Sequence, residues 1–95
     1  MYFVVSGSLN VYKSYGKANE MLLATLKPGS LFGEISLFLK EPRTASIIAN
    51  EQVTVMEIKE SDMYNFMNSK PDIAYFIVEI LCTRLKNMLL VFDAY

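Results

Sequence analysis

Between Phe32 and Ser46 the chain reads FGEISLFLKEPRTAS, which sets one carboxylate, Glu34, and one guanidinium, Arg43, on a glycine-led turn within an apolar, strand-rich sequence. These residue types suit a sugar phosphate. Gly33 lets backbone come close to a ligand, and the amides that follow it can face an anion as they open a helical turn. Arg43 can close on the same anion with a planar fork of donors, while Glu34 can accept a hydrogen bond from a ribose hydroxyl. Taken alone, the two charges read better as a surface ion pair that contributes little to stability.

The flanking sequence must supply a frame for this turn. Upstream, MYFVV, LNVYK and EMLLATL read as strands separated by Ser6-Gly7-Ser8 and by a polar loop through Gly16, which suggests an antiparallel meander. In LNVYK, Leu9, Val11 and Lys13 share one face and Asn10 and Tyr12 the other, an imperfect alternation. Downstream, RTASIIAN and QVTVMEI read as two more strands joined by a turn near Asn50 and Glu51. Val53 and Val55 fall on one face of the last strand and Met56 and Ile58 on the other, so both faces are expected to be covered. Ser61 is placed to cap a short helix from Asp62 to Met67. Ser69, Pro71 and Asp72 then suit the start of a longer helix that runs to about Phe92. Its residues Ile77, Leu81, Leu85, Met88 and Phe92 form a stripe that packs on the same chain or, in its distal part, on a second copy.

The expected fold is therefore mainly β with C-terminal helices: an antiparallel, jelly-roll-like β-roll over about residues 1–58, then two α-helices over about 60–92. Ninety-five residues, 53% of them hydrophobic and 13% aromatic, suffice for one packed domain covering 1–95. Met1 begins directly in a strand, so the roll is expected to be incomplete at its N-terminus and the chain a fragment of something longer.

Composition excludes several chemistries. Nine basic against ten acidic residues, with the lysines scattered from Lys13 to Lys86, argue against direct nucleic-acid binding. One cysteine, Cys82, and no histidine leave a disulfide framework, a zinc site or an iron-sulfur cluster without ligands, and rule out His-based acid/base catalysis. Glu79, Arg84 and Lys86 interrupt the longest apolar tract and argue against a membrane span. With no basic n-region at the start, a reducing, cytoplasmic setting is expected.

The segment FGEISLFLKEPRTAS resembles the phosphate-binding cassette of cyclic nucleotide-binding domains. These modules occur in regulatory subunits of cAMP-dependent protein kinase, in cyclic-nucleotide-gated channels and in bacterial regulators of the catabolite activator type. MYFVVSGSLNVY looks like the family's strand, glycine turn and strand, KPGSLFGE like its approach to the cassette, and the two C-terminal helices like its lid. The resemblance implies that Glu34 accepts the ribose 2′-hydroxyl and that Arg43 binds the exocyclic oxygens of the cyclic phosphate. It also implies that Gly33 allows the close turn and that amides near Ile35, Ser36, Thr44 and Ala45 complete the anion cradle. Thr44 can touch phosphate or, for a syn guanine, the base.

The chain departs from the pattern in two places. Leu39-Lys40-Glu41 stands where the family often has glycine, so the loop before Pro42 is expected to be stiffer or differently placed. Bacterial activators bring hydroxyl residues of the final helix to the base, whereas the corresponding stretch here lies near Met88 and Leu89, so apolar capping of the base is expected.

The implied function is a ligand-sensing regulatory module and not an enzyme. Its effector would be a cyclic nucleotide, cAMP ahead of cGMP, with no cofactor. The C-terminal helices would relay binding to an attached output domain or partner, best matched by a bacterial-type transcription regulator, with a homodimer through the last helix. The alternative is a structural or dimerisation module that keeps the fold without the ligand. Phosphodiesterase activity would need metal ligands that the sequence lacks.

Overall fold

The computed structural model describes residues 1–43 and 45–91, with side chains described as far as Leu89. Two compact units follow one another along the chain, Met1–Lys59 and the helical segment from Glu60.

The first unit holds six strands: β1 (Tyr2–Ser6), β2 (Leu9–Lys13), β3 (Met21–Leu26), β4 (Leu31–Phe32), β5 (Ser46–Ala49) and β6 (Thr54–Glu57). They form two three-stranded antiparallel sheets, ordered β4-β1-β6 and β3-β2-β5. A short helix, α1 (Glu34–Leu39), joins β4 to the segment that leads into β5. The expected β-roll followed by helices is present. The core of the roll is small and sharply defined: Val4 and Leu31 are 0% exposed, with Met1, Leu9 and Ile58 also buried. Each such apolar side chain contributes about 1.5–3 kcal/mol when fully withdrawn from water.

The connections differ from a simple meander. Among the described residues only β2 and β3 form a hairpin; β1 and β2 lie in different sheets, and so do β5 and β6. The two crossings lie side by side. Asn50 donates its backbone N–H to the Ser8 carbonyl at 3.0 Å, and its side-chain amide donates to Ser8 Oγ at 3.2 Å. Gly7 has φ +81°, and a Cβ there would collide with the backbone carbonyl of Gln52. The Ser6-Gly7-Ser8 segment is thus a sheet-to-sheet crossing that only glycine fits, because the second crossing passes directly over it.

Two elements differ from the sequence expectation. β4 is one that the sequence does not show, because two residues are too few for periodicity, and its pairing comes from β1. The strand around Val55 is exposed from Thr54 to Glu57, with Val53 half-buried before it and Ile58 buried after it, because β6 is an edge strand.

The second unit consists of α2 (Glu60–Ser69) and α3 (Pro71–Val91), which pack on each other and bury Met63 and Ile77. Ser61 lies inside α2 rather than at its cap, and Ser69 is the last residue of α2 rather than the cap of α3. Lys70 takes that place: its N–H donates to the Phe66 carbonyl at 2.8 Å, and its carbonyl accepts from the Ile73 N–H at 3.0 Å. Pro71 occupies the first position of α3, where its missing N–H costs no helical bond. Along the apolar stripe, Ile77 is buried, Leu81 half-buried, and Leu85 and Met88 exposed. Phe92 lies outside the described residues. Among the described residues no helix is long and apolar enough to cross a membrane.

Candidate functional site

The site is built from the row of residues that crosses the sheet β4-β1-β6. Tyr2, at the start of the central strand, lies opposite Phe32 on one side and Glu57 on the other. Cross-strand partners share a face, and the Tyr2 and Phe32 rings stack at 5.1 Å between centroids with 20° between their planes. The Tyr2 hydroxyl donates to Glu57 Oε2 at 3.2 Å.

The chain leaves this row at Gly33, with φ +78° and ψ +15°, and enters α1 at Glu34. Left-handed geometry at Gly33 turns the backbone sharply, and the Leu37 N–H closes the first helical bond on the Gly33 carbonyl at 3.2 Å. Ile35 and Ser36 fall in this opening turn, where helical N–H groups have no intrahelical acceptor. Glu34 is half-buried, Ile35 exposed and Ser36 half-buried.

Arg43 returns to the same place from the far end of the loop. Its Cζ stands 5.3 Å from the Tyr2 ring centroid and 5.8 Å from that of Phe32. A Cβ on Gly33 would lie 3.1 Å from Arg43 Nη2 and 3.6 Å from Met1 Cα. Gly33 is therefore required twice, for its backbone angle and for the room it leaves the guanidinium. The α-amino group of Met1 reports the same cluster: burial lowers its pKa, the Arg43 charge adds to that, and Glu57 and Glu34 oppose it. Gly33, Glu34 and Arg43 thus gather at the Met1 end of β1.

Ala45 is half-buried, immediately before β5. Thr44 lies outside the described residues. Met88, exposed, and Leu89, half-buried, belong to the distal part of α3 in the helical unit.

Lys40 ends α1 with φ +60°, a left-handed angle that glycine adopts without strain and that lysine adopts at a cost.

Sequence reasoning missed Tyr2 and Phe32 as partners of Arg43. An aromatic at the second position of the first strand was visible, but its neighbour could not be assigned while β4 was unrecognised.

The family model described as cyclic nucleotide-binding domain matches residues 1–70. The cyclic AMP receptor protein of Thermus thermophilus is 31% identical over 87 residues, covering 92% of this chain and 40% of that protein. The crystal structure of the Thermus thermophilus catabolite activator protein superposes with a TM-score of 0.78 at 32% identity, covering 97% of this chain and 43% of that one. The EAL enzyme Bd1971 matches in both a cAMP-bound and a cGMP-bound form, each at 25% identity and TM-score 0.61, covering 93% and 88% of this chain and 24% and 22% of theirs. The chain spans about two-fifths of the length of the Thermus proteins.

Proposed function

The chain belongs to the cyclic nucleotide-binding domain family, and we propose that it binds a cyclic nucleotide at the segment from Gly33 to Ala45, cAMP ahead of cGMP. The observation that carries this reading is the return of the Arg43 guanidinium to Gly33 and to the start of α1, where Glu34 stands. In the complex, Arg43 takes the exocyclic phosphate oxygens in a charge-assisted contact and Glu34 accepts the ribose 2′-hydroxyl. The amides of Ile35, Ser36 and Ala45, with Thr44, complete the anion cradle. A relative solved with either nucleotide supports keeping both open.

Binding acts as a population shift rather than as a reaction. Bound phosphate shifts the populations of the cassette around the Arg43 side chain, and α2 and α3 carry the change to an output domain outside this chain. Similarity to the cyclic AMP receptor protein supports a cytoplasmic transcription regulator as the whole protein. The exposed Leu85 and Met88 favour contact between two copies along distal α3.

Calorimetric titration with cAMP and cGMP tests the reading. Heat of binding with at least one nucleotide, and loss of nucleotide-induced thermal stabilisation in Arg43→Ala, are expected. No heat with either nucleotide at high concentration would leave a structural or dimerisation module that has the fold alone.

A further inference from the structure

Arg43 sits on an irregular, exposed segment between α1 and β5, where a long side chain has many rotamers to lose on binding. Its guanidinium nevertheless lies over two aromatic rings. Those rings are themselves fixed. Tyr2 and Phe32 are cross-strand partners, stacked on each other, and the Tyr2 hydroxyl donates to Glu57 on the third strand. The row Phe32-Tyr2-Glu57 runs across a sheet whose interior residues Val4 and Leu31 are fully buried. Gly33, the residue after Phe32, leaves open the space into which Nη2 projects.

A guanidinium contacts an aromatic through its face, while its five N–H donors lie in its plane. The ring contact and an anion contact therefore use different parts of the same group. We propose that the stacked Tyr2–Phe32 pair is the positioning element of Arg43: a rigid shelf that holds the guanidinium beside Gly33 before ligand arrives, so that its in-plane donors are already aimed at the place of the cyclic phosphate. The role in phosphate capture rests on the nucleotide reading above; the shelf itself does not. Tyr2 and Phe32 contact the arginine rather than the nucleotide and set affinity through it. The contact also links the two ends of the loop, because Phe32 precedes α1 and Arg43 follows it.

The experiment has two arms on the full 95-residue chain. In the first, NMR of the ligand-free chain reads the Arg43 Nε–Hε signal. Ring currents are expected to displace it upfield, Phe32→Leu to shift it back toward an ordinary arginine, and Phe32→Tyr to preserve the displacement. An undisplaced signal in the parent chain would overturn the shelf, whatever the chain binds. In the second arm, cAMP and cGMP affinities are measured for Phe32→Leu with Arg43 present and with Arg43→Ala. The expected result is a loss of about two- to five-fold with Arg43 present, none in the Arg43→Ala background, and recovery in Phe32→Tyr. An equal loss in both backgrounds would mean that Phe32 acts through the fold alone and would overturn the proposal. A displaced signal without binding of either nucleotide would support the shelf and overturn the nucleotide reading instead.

Discussion

The two sheets of the roll have the same number of strands and the same antiparallel pairing, yet the strands β4 and β3 that flank their central strands cover their apolar residues differently. In β4-β1-β6 the central strand β1 buries Val4 completely and its neighbour β4 buries Leu31, each 0% exposed. In β3-β2-β5 the edge strand β3 leaves Met21, Leu22 and Leu23 more than half exposed. The loop from Gly33 to Ala45 runs from one sheet to the other: it leaves the first at Phe32 and joins the second at Ser46. Its carboxylate end therefore grows out of the best-packed strand, and its arginine end hangs before a strand of the less covered sheet. Contact between Arg43 and the Tyr2 and Phe32 rings brings the second end back to the first. The arginine end, which leads into the second sheet, thus rests on aromatic rings of the first.

The contrast can be broken most directly in the core. Leu31→Ala should destabilise the chain by about 2–5 kcal/mol in urea unfolding, the range for a buried leucine that leaves a cavity. Removal of the charge at the far end of the loop should affect binding more than stability. Arg43→Ala should cost about 1.5–3 kcal/mol of nucleotide affinity by calorimetry, with a nearly unchanged unfolding midpoint in the absence of ligand. A large loss of ligand-free stability would mean that the guanidinium holds the fold together.

Gly33→Ala should lower stability by about 1–2 kcal/mol, because φ +78° strains an L-residue, and should weaken binding by crowding Nη2. Lys40→Gly should raise stability by about 0.5–1 kcal/mol, the relief of a left-handed lysine less the backbone entropy that glycine loses on folding. A lower unfolding midpoint would show that the lysine side chain outweighs the strain of its backbone. Leu22→Ala, on the open strand, should stay within about 0.5 kcal/mol of the parent. A loss close to that of Leu31→Ala would erase the distinction between the sheets.

Much of the candidate site could be read from residue type and spacing. Gly33, Glu34 and Arg43 are residue types that suit a sugar phosphate, and a helical turn does follow Gly33. The long helix from Pro71 was legible for the same reason, since proline fixes its start and the apolar spacing its axis. What stayed hidden depended on partners distant in sequence. β4 is too short for alternation and exists because β1 pairs with it; exposure of β6 follows from its place at the sheet edge. Tyr2 is thirty positions from Phe32 and further still from Arg43, and only the register joins them. The sheet-to-sheet crossing at Gly7 looked like a hairpin turn because the residue that forbids a side chain there, Gln52, belongs to the other crossing. Ser61 and Ser69 looked like caps because their hydroxyls suit the role, but each lies within α2, and the backbone of Lys70 makes the junction.

That junction has a mechanical meaning. Lys70 gives its N–H to the last turn of α2 and its carbonyl to the first turn of α3, so no slack residue separates the two helices. A linkage of this kind works as an elbow and not as a string. Both hydrogen bonds survive rotation about the two backbone torsions of Lys70, so the angle between the arms is held by the packing of α2 on α3, and a small change there swings the far end of twenty-one-residue α3 through a longer arc than that of ten-residue α2, as the long side of a lever does.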